Sequence, residues 1–350
     1  MNENRLNQID IAKGIGIILV VVGHTTTYLG FEKVIYQFHM PLFFILSGFF
    51  FKDKYVKQPL VFLLSRLKRL YIPYVLNGLR LFIVFLVISY LVRENTGFSI
   101  LGGLYYSFLI ILGIGSAPLA GTIWFLRALF FVSFIFIFLK WIISKINCNH
   151  NIILFISVLG FLIIGYKTQL PYRVSSSFVA LFFYYIGYLY ASNMEYVKMN
   201  LLFFIIALVV LIYSSIINIV DLAYNTYTSI SLFILSSICG TYSVLFVCKK
   251  IKQNSFLEFI GKKSLAIMIF HFLCFVPINL MIVFLYNLPL ERILDYPTIK
   301  EYHWWWILYS VVGVLGPLLI DKIIIDFEKL LPRCFTFSFW FEKLNIYIIK

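Results

Sequence analysis

The sequence predicts an all-α fold: a polytopic membrane helix bundle of about ten transmembrane helices with both termini cytoplasmic. Composition is the first reason. Of 350 residues, 62% are hydrophobic and only 13% charged, with a mean hydropathy of +0.95; soluble domains carry roughly 25% charged residues. The second is a recurrence of apolar runs, near 11–31, 34–51, 71–92, 122–143, 152–166, 177–192, 199–220, 229–248, 264–286 and 304–325. Most approach the ~20 residues of a crossing helix, the fifth and sixth being shorter. The third is the placement of the 29 lysines and arginines. With ten crossings and the N-terminus inside, most of them fall in cytoplasmic segments. A further run at 99–119 is broken by Gly102, Gly103, Gly113, Gly115 and Pro118. Counting it as a crossing would invert everything after it and erase the bias. It is therefore expected to fold back on the outer side, its backbone covered by protein or a wet cavity.

The net charge of +14 does not indicate nucleic acid, because in a membrane chain an excess of Lys and Arg is first a topology signal. The five cysteines are scattered, with no CxxC or Cys/His ligand spacing, so neither a metal site nor a disulfide framework is expected. The first apolar run lacks a small-residue cleavage site and is expected to stay as a helix. No polar stretch is long enough for a separate core. The chain reads as a single transmembrane domain, 1–350, with its motifs in 6–130 and a basic, aromatic tail at 326–350 along the inner membrane interface.

The first crossing carries LNQIDIAKGIGIILVVVGH, residues 6–24. Lys13 and His24 lie eleven steps apart, roughly 16 Å along a helix. Ionisable groups held in a membrane mark a functional site by default; the bland alternative is a core histidine satisfied by a neighbouring backbone or hydroxyl group. The second run reads FHMPLFFILSGFF, 38–50. If the two runs form a straight hairpin, His24 and His39 share one depth, roughly 11 Å below the turn, where neutral imidazoles serve as acids, bases or donors. The alternative for His39 is an interfacial residue reaching headgroup water. Pro41 is expected to kink its helix, and Ser47 and Gly48 to permit close packing.

RLKRLYIPY, 66–74, places Arg66, Lys68 and Arg69 just before a crossing. They are either lipid anchors or a polyphosphate grip, since guanidinium forks match phosphate oxygens. Pro73 is expected in the first turn of the third crossing. Asn77 and Arg80 share a helix face, and Arg80 is expected to look into the bundle or a hydrated cavity. In GTIWFLRALFF, 121–131, Trp124 suits an interfacial belt. Arg127 either holds a sugar or carboxylate or snorkels. Asp221 and Asn225 sit at an outer edge with hydrogen bonds to offer a sugar. The basic residues from Lys249 to Lys263 read as an inner anchor, and His271 as a satisfied core histidine.

Four of these stretches together resemble the acyltransferase-3 family of integral membrane O-acyltransferases, in its fucose 4-O-acetylase-like branch. They are the Lys13-x10-His24 helix entered through Asp10, MPLFFILSGFF, RLKRLYIPY, and WFL at 124–126. The resemblance implies an acyl-CoA donor, usually acetyl-CoA, used from the cytoplasm, and a hydroxyl acceptor on a surface polysaccharide or lipid-linked glycan. It also implies His24 as catalytic residue with Lys13 as its basic partner, in a bacterial plasma membrane. Acetyl transfer needs a base for the hydroxyl proton, assigned to His24, and donors for the thioester oxyanion. Arg80 or His39 is the candidate for that second role. Arg66, Lys68 and Arg69 would grip the CoA phosphates, and Arg127, Trp124 and Asp221 the acceptor. No cysteine or serine flags a covalent acetyl-enzyme, so direct transfer is expected. A glycan transporter or flippase is the competing class, yet no crossing clearly holds a central carboxylate for proton coupling. A third reading is a non-catalytic member of a polysaccharide-assembly complex.

Overall fold

A computed structural model describes residues 3–25, 30–93, 98–115, 118–194, 197, 199–251 and 253–330. The outermost part of the expected interfacial tail, 331–350, lies outside the described residues. Helices account for nearly all regular structure: α1 (Glu3–Gly23), α2 (Phe31–Tyr36), α3 (His39–Phe49), α4 (Pro59–Arg66), α5 (Ile72–Arg93), α6 (Ile100–Ile111) and α7 (Trp124–Ile143). They continue with α8 (His150–Lys167), α9 (Val174–Asn193), α10 (Leu201–Ile217), α11 (Ile230–Ile251), α12 (Ser255–Lys262), α13 (Ser264–Leu285) and α14 (Trp306–Leu330). Between α10 and α11 a small antiparallel hairpin pairs β1 (Val220–Asp221) with β2 (Thr226–Tyr227).

Among the described residues seven helical stretches are long and apolar enough to cross a membrane: 59–93, 119–143, 150–167, 174–193, 230–251, 264–285 and 300–327. Three of the ten expected runs are not among them: 11–31, whose helix α1 ends at Gly23, and two that fall short. The run 199–220 yields only the 17 residues of α10, at the lower limit for a crossing. The run 34–51 is two helices, α2 and α3, because the chain breaks at Gln37. The Gln37 carbonyl accepts from Ser237 Oγ at 2.7 Å. Its side chain donates to the Asn218 carbonyl at 2.7 Å and accepts from Ser236 Oγ at 2.9 Å. With these partners the backbone leaves the helical ladder without stranding a buried polar group. Pro41 consequently falls in the first turn of α3, where it costs no hydrogen bond, and the interruption precedes it.

The RLKRLYIPY stretch also differs from expectation. The helix begins at Pro59 rather than beside Pro73, and α4 runs into α5 through a π turn at Leu67–Tyr71. Pro73 has no N–H for the Arg69 carbonyl and crowds it. The chain widens just upstream, with the Ile72 N–H reaching back to the Leu67 carbonyl. Such single π turns recur at functional sites, and this one displays Arg66 and Arg69.

The run 99–119, expected to fold back on the outer side, holds no helix of crossing length among its described residues. Its helix, α6, has 12 residues, about 18 Å of rise and too short to cross. Gly113 then turns the chain at φ 75°, a conformation that glycine alone adopts freely. Tyr71 donates to the Ile111 carbonyl at 2.9 Å, Tyr74 to the Gly115 carbonyl at 2.7 Å, and Arg127 Nη1 to the Gly113 carbonyl. The carbonyls that a broken helix exposes are thus met by protein.

Two backbone contacts set the frame of the site. Gly48 lies against the Tyr184 carbonyl, where a side chain would collide, so α3 and α9 touch main chain to main chain. Gly261 does the same for α12 against the Asp10 carbonyl of α1. Small residues at helix contacts supply this closeness in membranes, where no hydrophobic driving force separates lipid from protein.

Candidate active site

Two cavities lie end to end on the same helices. The first, about 270 Å³, opens where α1 ends, and His24, Tyr36, His39, Trp124, Arg173 and Asp221 line it. The second, about 460 Å³, is lined by Asp10, Lys13, Arg66, Arg69, Lys262 and Ser264 among others. Neighbouring residues of single elements divide between them. Met40, Trp124 and Phe272 face the first, while Phe43, Phe125 and Met268 face the second. The partition is therefore about one helical turn thick, ~5 Å. It is tied by Thr122 Oγ1 donating to the Met268 carbonyl at 2.6 Å and by the Phe43–Phe125 ring contact at 5.9 Å.

His24 follows Gly23 in the turn that closes α1. Its Nδ1 lies 3.2 Å from Tyr36 Oη. Its ring stacks on His271 with centroids 5.5 Å apart and meets the edge of Phe272 at 4.9 Å. His39 is 4% exposed and gives its Nδ1–H to the Ile35 carbonyl at 2.8 Å, leaving Nε2 as its available nitrogen. Tyr36 stands between the two imidazoles, 5.0 Å from the His39 ring. His24 and His39 line one cavity with Tyr36 between them, on a broken α2–α3 unit rather than a straight hairpin.

Sequence reasoning set His271 aside as a satisfied core histidine, and the structure corrects this by half. Nδ1 bonds the Ile267 carbonyl at 2.7 Å, but the fully buried Nε2 has no partner among the described residues. His24 thus has two further imidazoles near it, His271 in ring contact and His39 across Tyr36.

Asp221 lines the first cavity. Its Oδ1 accepts from the Ala223 and Tyr224 N–H groups at 2.8 and 3.2 Å. Burial pushes the carboxyl above its usual range, against the opposing pull of those N–H groups and of Arg173. Trp124 also lines this cavity.

Other expected site residues lie elsewhere. Arg127 is 5% exposed and spends a guanidinium nitrogen on the Gly113 carbonyl, so it clamps the fold-back segment and lines neither cavity. Arg80 is exposed and donates to Asn77 Oδ1 at 3.3 Å. The register of α5 turns Asn77, Gly78 and Leu81 inward and carries position 80 outward. Lys68 likewise falls outside the second cavity, while Arg66 and Arg69, on the other side of the π turn, line it. Lys13 belongs to this cavity and not to that of His24. Its Nζ pairs with Asp10 Oδ1 at 3.0 Å and sits 5.0 Å over the Phe50 ring.

Lys262, read as part of an inner anchor, lines the second cavity, and Arg173, which no motif singled out, lines the first. For Tyr36 a signal existed, since it precedes His39 by three residues, one turn away. Arg173, Tyr296 and Lys262 come from distant loops and helices that only folding brings in.

Residues 6–322 match the family model described as "Acyltransferase domain", the acyltransferase-3 family. The chain belongs to this family. No curated protein and no solved structure matches it. Membership extends the resemblance of the first 130 residues over nearly the whole chain, and with seven apolar helices of crossing length it makes this a multi-pass membrane acyltransferase. Both cavities fall within the matched region. For acyl transfer the arrangement offers a basic cleft at one end, an imidazole cluster at the other, and a thin partition between.

Proposed function

We propose that this acyltransferase moves an acetyl group from cytoplasmic acetyl-CoA to a hydroxyl of a cell-surface polysaccharide or lipid-linked sugar. The observation that carries this reading is the pair of cavities back to back across one helical turn, one cationic and one holding His24. The phosphates of CoA bind Arg66, Arg69, Lys13 and Lys262, where guanidinium forks and ammonium groups suit them. The acyl end reaches through the partition toward His24. The sugar occupies the first cavity, against Trp124 and Tyr36, with hydroxyls toward Asp221.

His24 acts as general base. As the sugar oxygen bonds to the thioester carbonyl carbon, His24 accepts the hydroxyl proton. The C–S bond then breaks, and the departing sulfur takes up a proton, giving an O-acetyl sugar and CoA. His39, with Nδ1 fixed by Ile35, orients the acceptor or stabilises the oxyanion. Transfer is direct, without an acetyl-enzyme. Topologically the reading has about ten crossings, both termini cytoplasmic, in a bacterial plasma membrane, and it places the chain in the fucose 4-O-acetylase-like branch. The positive-inside bias supports the orientation.

The test is transfer of labelled acetyl from acetyl-CoA to glycan by purified protein. His24→Ala is expected to abolish transfer while the protein remains folded and abundant. Undiminished transfer in that variant would remove His24 from the mechanism.

A further inference from the structure

The cation expected at the acceptor site, Arg127, is committed to the Gly113 carbonyl. A different one takes its place. Arg173 precedes α9 with φ 58°, a left-handed conformation that is unfavourable for a long side chain. Its guanidinium lies over two rings that line the first cavity, 4.9 Å from the centroid of Tyr224 and 5.7 Å from that of Trp124. Its Nη1 is buried and has no hydrogen-bond partner among the described residues. Asp221 shares the cavity and attracts it, but no ion pair joins the two. Instead Asp221 Oδ1 serves the N–H groups of its own turn. Lys300 stands at the rim.

A buried guanidinium donor without a partner is costly unless something arriving in the cavity satisfies it. Two cations against one carboxylate leave the cavity with a surplus positive charge. The volume, about 270 Å³, corresponds to ~9 waters at liquid density, which suits one sugar ring with a substituent.

We propose that the acceptor is an acidic sugar, bearing a carboxylate or phosphate oxyanion that Arg173 grips and Lys300 steers. This rests on the reading of the first cavity as the acceptor site. Charge-assisted hydrogen bonds to a planar fork supply both affinity and orientation. The grip thereby selects which hydroxyl meets His24.

The experiment measures binding to purified full-length protein in nanodiscs by calorimetry, using methyl glucoside, methyl glucuronoside and glucose 1-phosphate. One or both acidic sugars are expected to bind about tenfold or more tightly than the neutral one, the size of effect of a charge-assisted bond. The acid that gains affinity distinguishes a uronate acceptor from a phosphorylated one. Arg173→Gln should bring the acid-to-neutral ratio close to one, Arg173→Lys should restore part of it, and Lys300→Gln, on the rim, should reduce it only a few-fold. Equal affinity for all three sugars, absence of binding by either acid, or a preference that survives Arg173→Gln overturns the proposal. Acetyl transfer measured on the same preparations separates the two readings. Transfer without acid preference sinks the acidic acceptor alone, and acid preference without transfer sinks the acetyltransferase alone.

Discussion

At the scale of single residues the molecule depends on where polar side chains spend their hydrogen bonds. Arg127 and Arg173 illustrate this. Both are cations near sequence-distant segments, yet one satisfies a broken backbone while the other, on a residue that lines a cavity, keeps a buried donor without a hydrogen-bond partner among the described residues. Asp221 gives a pH prediction. Burial raises its folded-state value above the unfolded one, so the folded chain holds the proton more tightly. Stability then falls as pH rises through the raised value, and is retained below the unfolded value. Asp221→Asn keeps an oxygen for the Ala223 and Tyr224 N–H groups and removes the charge. The variant is expected to unfold at a higher temperature than wild type at about pH 7, with the gap closing near pH 4, around the ordinary carboxylate value. A gap that is absent at pH 7, or that grows on acidification, contradicts this assignment.

At the scale of elements, the close contacts place the site. The α1–α12 contact holds Asp10 and Lys13 beside Lys262 and depends on Gly261 having no side chain. Gly261→Ala forces the two helices apart, because the obstructing atom is a backbone carbonyl that cannot swing away. The expected cost is about 1–3 kcal/mol of stability, read as a lowered melting temperature in detergent, together with weaker acetyl-CoA binding. An unchanged melting temperature would show that the helices are not held this closely. Arg66 and Arg69 lie three residues apart, on one helical face, and line the cavity, while Lys68 falls outside it.

At the scale of the whole molecule the consequence is a division of labour across the bundle. Charge reversal at Arg69 should raise the KM for acetyl-CoA at least severalfold and leave the KM for the acceptor nearly unchanged, because the two cavities are separated by a turn of helix. Lys68→Glu, one position away, serves as the comparison and should alter the acetyl-CoA KM far less. Equal effects of the two reversals would mean that the basic segment acts through the lipid surface.

The sequence by itself determined the membrane-helix character and the presence of Lys13 and His24 on one helix and its closing turn. Composition and rise per residue are enough for those. The family was legible in the same motifs. The tertiary structure decided which face each helix turns inward. Helices apolar all round carry no amphipathic stripe to mark a buried side, so nothing along α5 separates Arg80 from Asn77, and nothing in 171–174 or 262–264 announces a cavity. Facing is set by glycine contacts and by the break at Gln37. Each arises where distant segments meet, and there the chain resolves into two cavities and a wall.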